Sequence, residues 1–230
     1  MAIDIEKGIE LKLRFKADRR LHYKLTTTVN TEIMQEGTVL REQETAFVAD
    51  LEQRTICCDE AGHGHIVSLT VPKEPPPPPG TPRQLVYQEI APLGRVLEST
   101  GANPTNSYSF PEMPVAKGSS WEGSSRIPIP NRPDPVICKN TYTIEGSETI
   151  NGFDCVVIEV VTEELEFEFP LPGGQGTAKV VMAGSGLIHF APESGFIVRM
   201  EMETISSPRI GLMTYHTSNV IVQELQRVDD

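Results

Sequence analysis

The sequence predicts a mainly β protein, built as an antiparallel, strongly curved sheet or incomplete barrel with one or two short helices. Apolar and polar residues alternate with a period of two in nearly every periodic segment, which is typical of half-buried strands. The chain has 18 glycines and 19 prolines, which suit a fold with many turns. Asn151-Gly152 lies between two strand-like runs and is a strong hairpin signal. We expect residues 1–230 to form a single β domain.

Residues 1–71 are predicted to form N-terminal strand hairpins. Ile9, Leu11, Leu13 and Phe15 alternate with charged residues, and the short turn ADRR joins this first strand to a second one in RLHYKLTTTV. A further hairpin joins TAFVADLEQRTICCDE to HIVSLTV through AGHG, because glycine tolerates the positive φ of a tight turn. The segment TAFVADLEQR is also a candidate for one short helix.

Residues 72–83 are predicted to form a Pro-rich loop. Five consecutive prolines, Pro75 to Pro79, cannot donate hydrogen bonds to a β-ladder, so this stretch is expected to be an exposed polyproline II segment. Residues 84–135 follow as a strand and a Pro-rich crossover. Leu85 to Ile90 fits a strand or a short helix, and GRVLEST fits a strand.

The crossover contains the only tryptophan of the chain, Trp121. Phe110 and Val115 are its other apolar anchors, so the crossover is expected to be ordered and the indole to lie on the core. Gly118 and Gly123 are expected to let the backbone bend on either side of Trp121.

Residues 136–230 are predicted to form C-terminal antiparallel hairpins. A turn at Asn151-Gly152 pairs Ile150 with Phe153 and places Cys155 opposite Glu148. Another hairpin forms around APESG, and the segments GGQG and GSG are read as turns, since neither has the strand-to-helix context of a phosphate-binding loop.

Charge and hydropathy exclude several classes of partner. A net charge of −12 argues against nucleic acid and against a basic membrane-binding patch. No apolar run approaches the roughly 20 residues of a membrane-spanning helix. The N-terminus lacks the apolar core of a signal peptide, so we expect a cytoplasmic protein as written. The alternative is the cell envelope or an exported protein, if a leader was removed.

No metal, cofactor or catalytic residue is predicted. Cys57, Cys58, His63 and His65 are zinc-type ligands, but adjacent strand residues point to opposite faces and the spacing matches no zinc motif. The glutamates of TEELEFEF alternate with apolar residues and form a solvated face. No Gly-x-Ser-x-Gly elbow occurs, and we expect the protein not to be an enzyme.

Four segments in a fixed order resemble a group of bacterial β-rich proteins of unknown function that are usually exported or lipid-anchored. They are GRVLEST, FPEMPVAKGSSWEG, NTYTIEGSETINGFDCVVIEV and GSGLIHFAPESGFIVRMEMET. Such proteins are similar in shape to the periplasmic lipoprotein carriers, in which an incomplete barrel curls around an apolar cavity. The resemblance implies a carrier-like fold and no catalytic residues.

Two functions follow. The first is a non-catalytic binding protein whose curved sheet holds an apolar or lipid-like ligand; the large apolar side chains that would form the cavity wall are Phe15, Phe167, Phe169, Phe196, Met200 and Met202. A filled core remains the alternative for these residues. The second is a structural or interaction subunit that docks a protein partner through sheet edges and Pro-rich loops. The residues expected to contact that partner are Pro75, Pro77, Pro79 and Trp121.

Overall fold

A computed structural model describes residues 3–78, 81, 83–101, 109–127, 136–170 and 176–230. These residues form twelve strands. The strands are β1 (Arg20–Gln35), β2 (Thr38–Cys58), β3 (Gly64–Glu74), β4 (Gln84–Ile90), β5 (Val96–Gly101), β6 (Ser120–Ile127), β7 (Val136–Ile150), β8 (Phe153–Pro170), β9 (Thr177–Ala191), β10 (Phe196–Ser206), β11 (Arg209–Ile210) and β12 (Met213–Asp229).

All strands belong to one antiparallel sheet, as the alternation predicts. The order is β5-β4-β3-β2-β1-β12-β10-β9-β8-β7-β6, and the short β11 pairs with β12 and β9. Most sequence neighbours are therefore spatial neighbours, but β5 and β6 lie at opposite ends of this order, and β1 pairs with the C-terminal strand β12 as well as with β2.

The predicted short helices are wrong. Within the described ranges, the only helix is a three-residue 3-10 turn, Ile5–Lys7. The candidate segment TAFVADLEQR lies in β2, and residues 85–90 lie in β4. Each of these strands pairs on both sides, so the ladders satisfy the backbone groups that a helix would otherwise satisfy internally. No helix in these ranges is long and apolar enough to cross a membrane.

The predicted first strand is also wrong, although its alternation is meaningful. Residues 9–15 form no strand: Ile9 makes an isolated bridge with Val115, and Leu13 N and Arg14 N donate to the carbonyls of Pro92 and Gly195. The strand β1 pairs with β12 and β2 instead. The segment runs across the sheet, and Leu11 is buried in the core with 1% of its surface exposed. Arg19, which lies between this segment and β1, contacts the Asp230 carboxylate through Nε at 2.6 Å.

Three of the predicted hairpins are confirmed by the strand register. Asn151 and Gly152 have φ values of 51° and 82°, as a two-residue primed turn requires. Ile150 pairs with Phe153, and Glu148 pairs with Cys155. The β2–β3 hairpin and the β9–β10 hairpin around APESG also form as expected.

Two glycine predictions need correction. Gly184 and Gly186 lie inside β9, not in a turn. A side chain at Gly186 would overlap the Glu201 carbonyl and Met202 on β10, so glycine permits close approach of the two strands. Gly123 likewise lies inside β6, where a side chain would meet Ser109 and Tyr142. Only Gly118, with φ of 78°, bends the backbone as expected.

Buried apolar side chains form two clusters. The first joins the N-terminal segment and the crossover to strands β7–β10; its members are Leu11, Phe110, Val115, Tyr142, Ile144, Val156, Ile158, Val160, Ile188, Phe190, Ile197 and Met200. The second lies where β1, β2 and β12 meet the β8–β10 ends; its members are Tyr23, Leu51, Cys155, Ala191, Phe196, Val198 and Leu225. The chain's own N-terminal segment thus fills apolar space beside the sheet.

Candidate functional site: a charged groove at the base of the proline loop

A groove of about 500 Å³ lies over the strands β1, β2, β3 and β12. Its lining mixes apolar residues with charges of both signs: His22, Tyr23, Asp50, Leu51, Glu52, Leu69, Val71, Lys73, Arg83, Gln226 and Arg227. Lys73 and Arg83 flank the proline loop, so the groove lies at the loop's base. Its volume falls in the range of small-molecule sites in proteins, about 300–1,000 Å³.

Strand register explains the apolar strip of the groove. Leu69 pairs with Glu52, and Glu52 pairs with His22, so these three side chains share one face of the sheet. Val71 pairs with Asp50 two residues further on and shares that face. Leu69 and Val71 are half-buried, and they form an apolar strip bordered by charged groups.

Tyr23 and Leu51 have a different role. They pair with each other in the neighbouring register row, which points to the opposite face, and both belong to the second buried cluster. They support the groove from below. The Tyr23 hydroxyl donates to the Ile197 carbonyl at 3.0 Å, which fixes the strand that carries His22 against the core.

Most of the groove's cations already have anionic neighbours. Lys73 Nζ lies 2.8 Å from Asp50 Oδ2, and His22 Nε2 lies 2.9 Å from Asp229 Oδ2. Arg227 Nε lies 2.9 Å from the other oxygen of the same carboxylate. Arg83 differs, because none of the described residues places a carboxylate within ion-pair distance of it. The groove therefore combines an apolar strip with a guanidinium that forms no ion pair with any described residue.

The residues predicted as a cavity wall do not share one open surface. Met200 is buried in the first cluster, and Met202 is partly buried against the same cluster. Phe196 lies in the second cluster, edge-on to Phe153 with ring centroids 5.3 Å apart.

The other predicted wall residues lie elsewhere. Phe15 covers Gly64, where any side chain would overlap its ring. Phe167 is half-buried opposite Val180, and Phe169 pairs in register with Ala178.

The residues predicted to contact a partner are also separated. Pro75 and Pro77 are exposed, and Pro79 lies outside the described residues. Trp121 is half-buried on β6, packs against the first cluster and donates from Nε1 to the Ser109 carbonyl at 2.5 Å. The structure does not bring Trp121 and the prolines together in one cluster.

The cysteines and histidines are arranged differently from the four-residue set considered in the sequence. Cys57 pairs with His65, and Cys58 occupies the next position, on the other face; both thiols are exposed. His63 instead faces two carboxylates, at 2.9 Å from Asp59 and 3.3 Å from Glu89. The other two cysteines are buried, and burial raises the pKa of Cys155 to about 11, so that thiol is a poor nucleophile.

Comparison with known proteins adds no identity. A scan against protein-family models finds no family that matches this chain. A search of curated proteins also finds no match.

Proposed function

We propose that this protein is a non-catalytic binding protein whose groove takes a lipid-like amphiphile with an apolar body and an anionic head. The observation that carries the proposal is the apolar strip of Leu69 and Val71 beside Arg83, a cation with no ion-pair partner in the part of the chain that the structure describes. The strip offers contact for an acyl chain, and the guanidinium offers a bidentate partner for a carboxylate or phosphate.

The negative net charge of the chain means that a local cation such as Arg83 is needed to hold an anionic head. At a net charge of −12, the long-range field repels anions, so an anionic head needs a local basic group to be held. Lys73, Arg227 and His22 flank the same groove. Carboxylate partners neutralise Lys73 and Arg227 in part, which leaves Arg83 as the main attraction for an incoming anion.

We also infer that the sheet curls into an incomplete barrel. Leu13 N donates to the Pro92 carbonyl, beside the edge strand β5, while Ile9 pairs with Val115, just before the other edge strand β6. A flat sheet with eleven strands in its path would separate its edges by about 48 Å. The stretch from Ile9 to Leu13 spans at most about 14 Å. This mismatch supports a strongly curved sheet.

The proposed ligand site is the groove and not the interior of the curved sheet, because the N-terminal segment fills that interior. Leu11 and its neighbours in the N-terminal segment pack on Met200 and Met202. The apolar surface that a carrier would offer inside is therefore covered by the chain itself. A lipid-like ligand still agrees with the carriers whose shape the sequence resembles, but its place is on the other face of β1–β3.

A fluorescence titration with cis-parinaric acid and with its methyl ester tests this proposal. We expect the free acid to bind at least about 10-fold more tightly than the ester, because a charge-assisted hydrogen bond contributes about 1.5–3 kcal/mol. Arg83→Glu should reduce the affinity for the acid to that for the ester or below. Val71→Asp should weaken binding of both probes.

The control is Ile205→Asp, which places the same charge at an apolar residue of β10 that is already 51% exposed. Its affinities should equal those of the wild type. Circular dichroism of each variant separates a lost site from a lost fold. Equal binding of acid and ester, or binding unchanged in Arg83→Glu, would contradict the proposal.

A second function is favoured by a separate observation. Among the described residues, the edge strand β5 pairs only with β4, and Leu85 and Leu97 on these two strands are 59% and 37% exposed. An open edge with apolar neighbours can accept a strand from a protein partner. In that case the groove variants would leave the partner's affinity unchanged, while Leu97→Lys would weaken it.

A further inference from the structure

The β2–β3 turn carries a side-chain cluster that the groove does not use. We propose that Asp59, His63 and Glu89 form a binding site for a divalent transition-metal ion, with Zn²⁺ as the best fit. Asp59 and His63 lie at the two ends of the turn, and Glu89 reaches them from β4. The inference is independent of the proposed amphiphile site.

The distances suit a shared ion. His63 Nδ1 lies 2.9 Å from Asp59 Oδ2 and 3.3 Å from Glu89 Oε1, and the three ligand atoms lie within 4.8 Å of one another. Zinc bound at about 2.0–2.2 Å in a tetrahedron holds its ligand atoms about 3.3 Å apart. The three groups therefore need only small side-chain movements to coordinate one ion, with a fourth position left for water.

A plain ion pair explains the geometry less well. His63 Nδ1 is shielded from solvent and has no hydrogen bond of acceptable geometry, although both oxygens are close in distance. Neither oxygen therefore lies where an N–H on that nitrogen would point. A ring nitrogen that is shielded from water and makes no hydrogen bond costs free energy. A metal ion between the three ligand atoms would remove this cost by binding the lone pair of His63 Nδ1.

The backbone of the turn positions the carboxylate. Asp59 Oδ1 accepts from His63 N at 2.8 Å, and Asp59 N donates to the His63 carbonyl at 3.1 Å. The hydrogen bond from the His63 backbone holds the Asp59 carboxylate in place and lowers its pKa. Such fixing of a ligand by a partner outside the coordination sphere is typical of metal sites.

Two neighbouring residues of types that bind zinc, His65 and Cys57, are not part of this cluster. His65 Nδ1 forms a hydrogen bond with the Tyr87 hydroxyl at 2.8 Å. Cys57 is the cross-strand partner of His65, one register position away from the turn. The site therefore consists of one imidazole and two carboxylates, a donor set that suits zinc and disfavours the softer ions that require thiolates.

Isothermal titration of the metal-free wild-type protein with ZnCl₂ tests the site directly. We expect one equivalent of Zn²⁺ to bind and the melting temperature to rise with zinc, because an ion that binds only the folded state stabilises it. His63→Ala and Glu89→Gln should each weaken zinc binding by at least the roughly 10-fold that even loss of an outer-shell partner costs. Glu89→Gln retains the shape of the side chain.

Two further variants complete the experiment. His216→Ala removes an exposed histidine on β12 whose Nδ1 contacts Ser207, and its zinc affinity should equal that of the wild type. The double variant Cys57→Ser, Cys58→Ser should also bind zinc normally. The proposal is overturned if wild-type protein binds no zinc, if Glu89→Gln binds it unchanged, or if only the cysteine variant loses it.

Discussion

The indole of Trp121 lies parallel to the ring of Tyr142, with ring centroids 5.4 Å apart and an angle of 9° between the planes. Tyr142 is 4% exposed, so the stacked pair is anchored in the first core cluster. The Trp121 Nε1 hydrogen bond to Ser109 attaches the crossover to the edge strand β6. The crossover is therefore held by specific contacts, as its apolar anchors predict.

Replacing Trp121 with alanine should cost about 3 kcal/mol of unfolding free energy, at the low end for buried Trp because the ring is half-buried. Trp121→Phe should cost less, since it keeps a ring on Tyr142. Urea denaturation of both variants measures the difference. A loss below about 1 kcal/mol for Trp121→Ala would mean that the indole contributes little to the core.

Shortening the proline loop should hardly change stability. Pro75 to Pro78 are exposed, and halving a flexible loop changes its closure entropy by only about 0.6 kcal/mol. Deleting Pro76 and Pro77 should therefore leave the melting temperature within a few degrees of the wild-type value. A much larger drop would show that the loop packs against the rest of the molecule.

Stability should fall as the pH drops below about 6.5, in part because of His189. This histidine is 7% exposed, and burial lowers its pKa, with Arg199 acting in the same direction and Glu148 opposing both. Between its folded and unfolded pKa values the unfolded chain binds more protons, so unfolding becomes easier toward acid pH. The contribution is fully present above the unfolded pKa.

The control for this prediction is His189→Gln, compared with the wild type in urea at pH 7.5 and pH 5.5. The variant should lose less stability between the two pH values. The carboxylates whose pKa values are lowered, including Asp154 and Asp230, titrate below this window. An identical pH dependence in both proteins would show that His189 is not the group responsible.

The four thiols should separate into two classes. Cys57 and Cys58 are exposed, whereas Cys138 and Cys155 are buried and burial raises the pKa of both. A maleimide reagent should label the first pair in native protein and the second pair only after unfolding. Peptide mass mapping identifies the labelled residues. Rapid labelling of Cys155 in native protein would contradict its burial near the start of β8.

Local signals predicted much of the sheet. Asn151-Gly152 determined the register of β7 and β8, because a two-residue turn leaves few ways to pair the flanking strands. The same alternation wrongly predicted a strand at residues 9–15. An extended segment with one apolar side has the same sequence pattern whether or not it pairs in a β-ladder. Its position depends on long-range packing of Leu11, which no local pattern encodes.

The candidate sites were harder to predict for the same reason. Lys73 and Arg83 flank one loop, but Arg227 lies on β12 and reaches them only through the pairing of β12 with β1, of β1 with β2 and of β2 with β3. Glu89 reaches His63 through the β3–β4 ladder. The spacing of cysteines and histidines in the sequence gives no sign of this carboxylate. The sequence predicted no metal site at Cys57, Cys58, His63 and His65, and of these four only His63 lies in the cluster with Asp59 and Glu89.

The most direct test of the proposed function is native mass spectrometry of gently purified protein before and after incubation with oleate. We expect a one-to-one adduct with the mass of a single amphiphile, stable in wild-type protein and in Ile205→Asp and largely lost in Arg83→Glu. Protein that stays at its bare mass in both samples, or an oleate adduct that persists unchanged in Arg83→Glu, would contradict it.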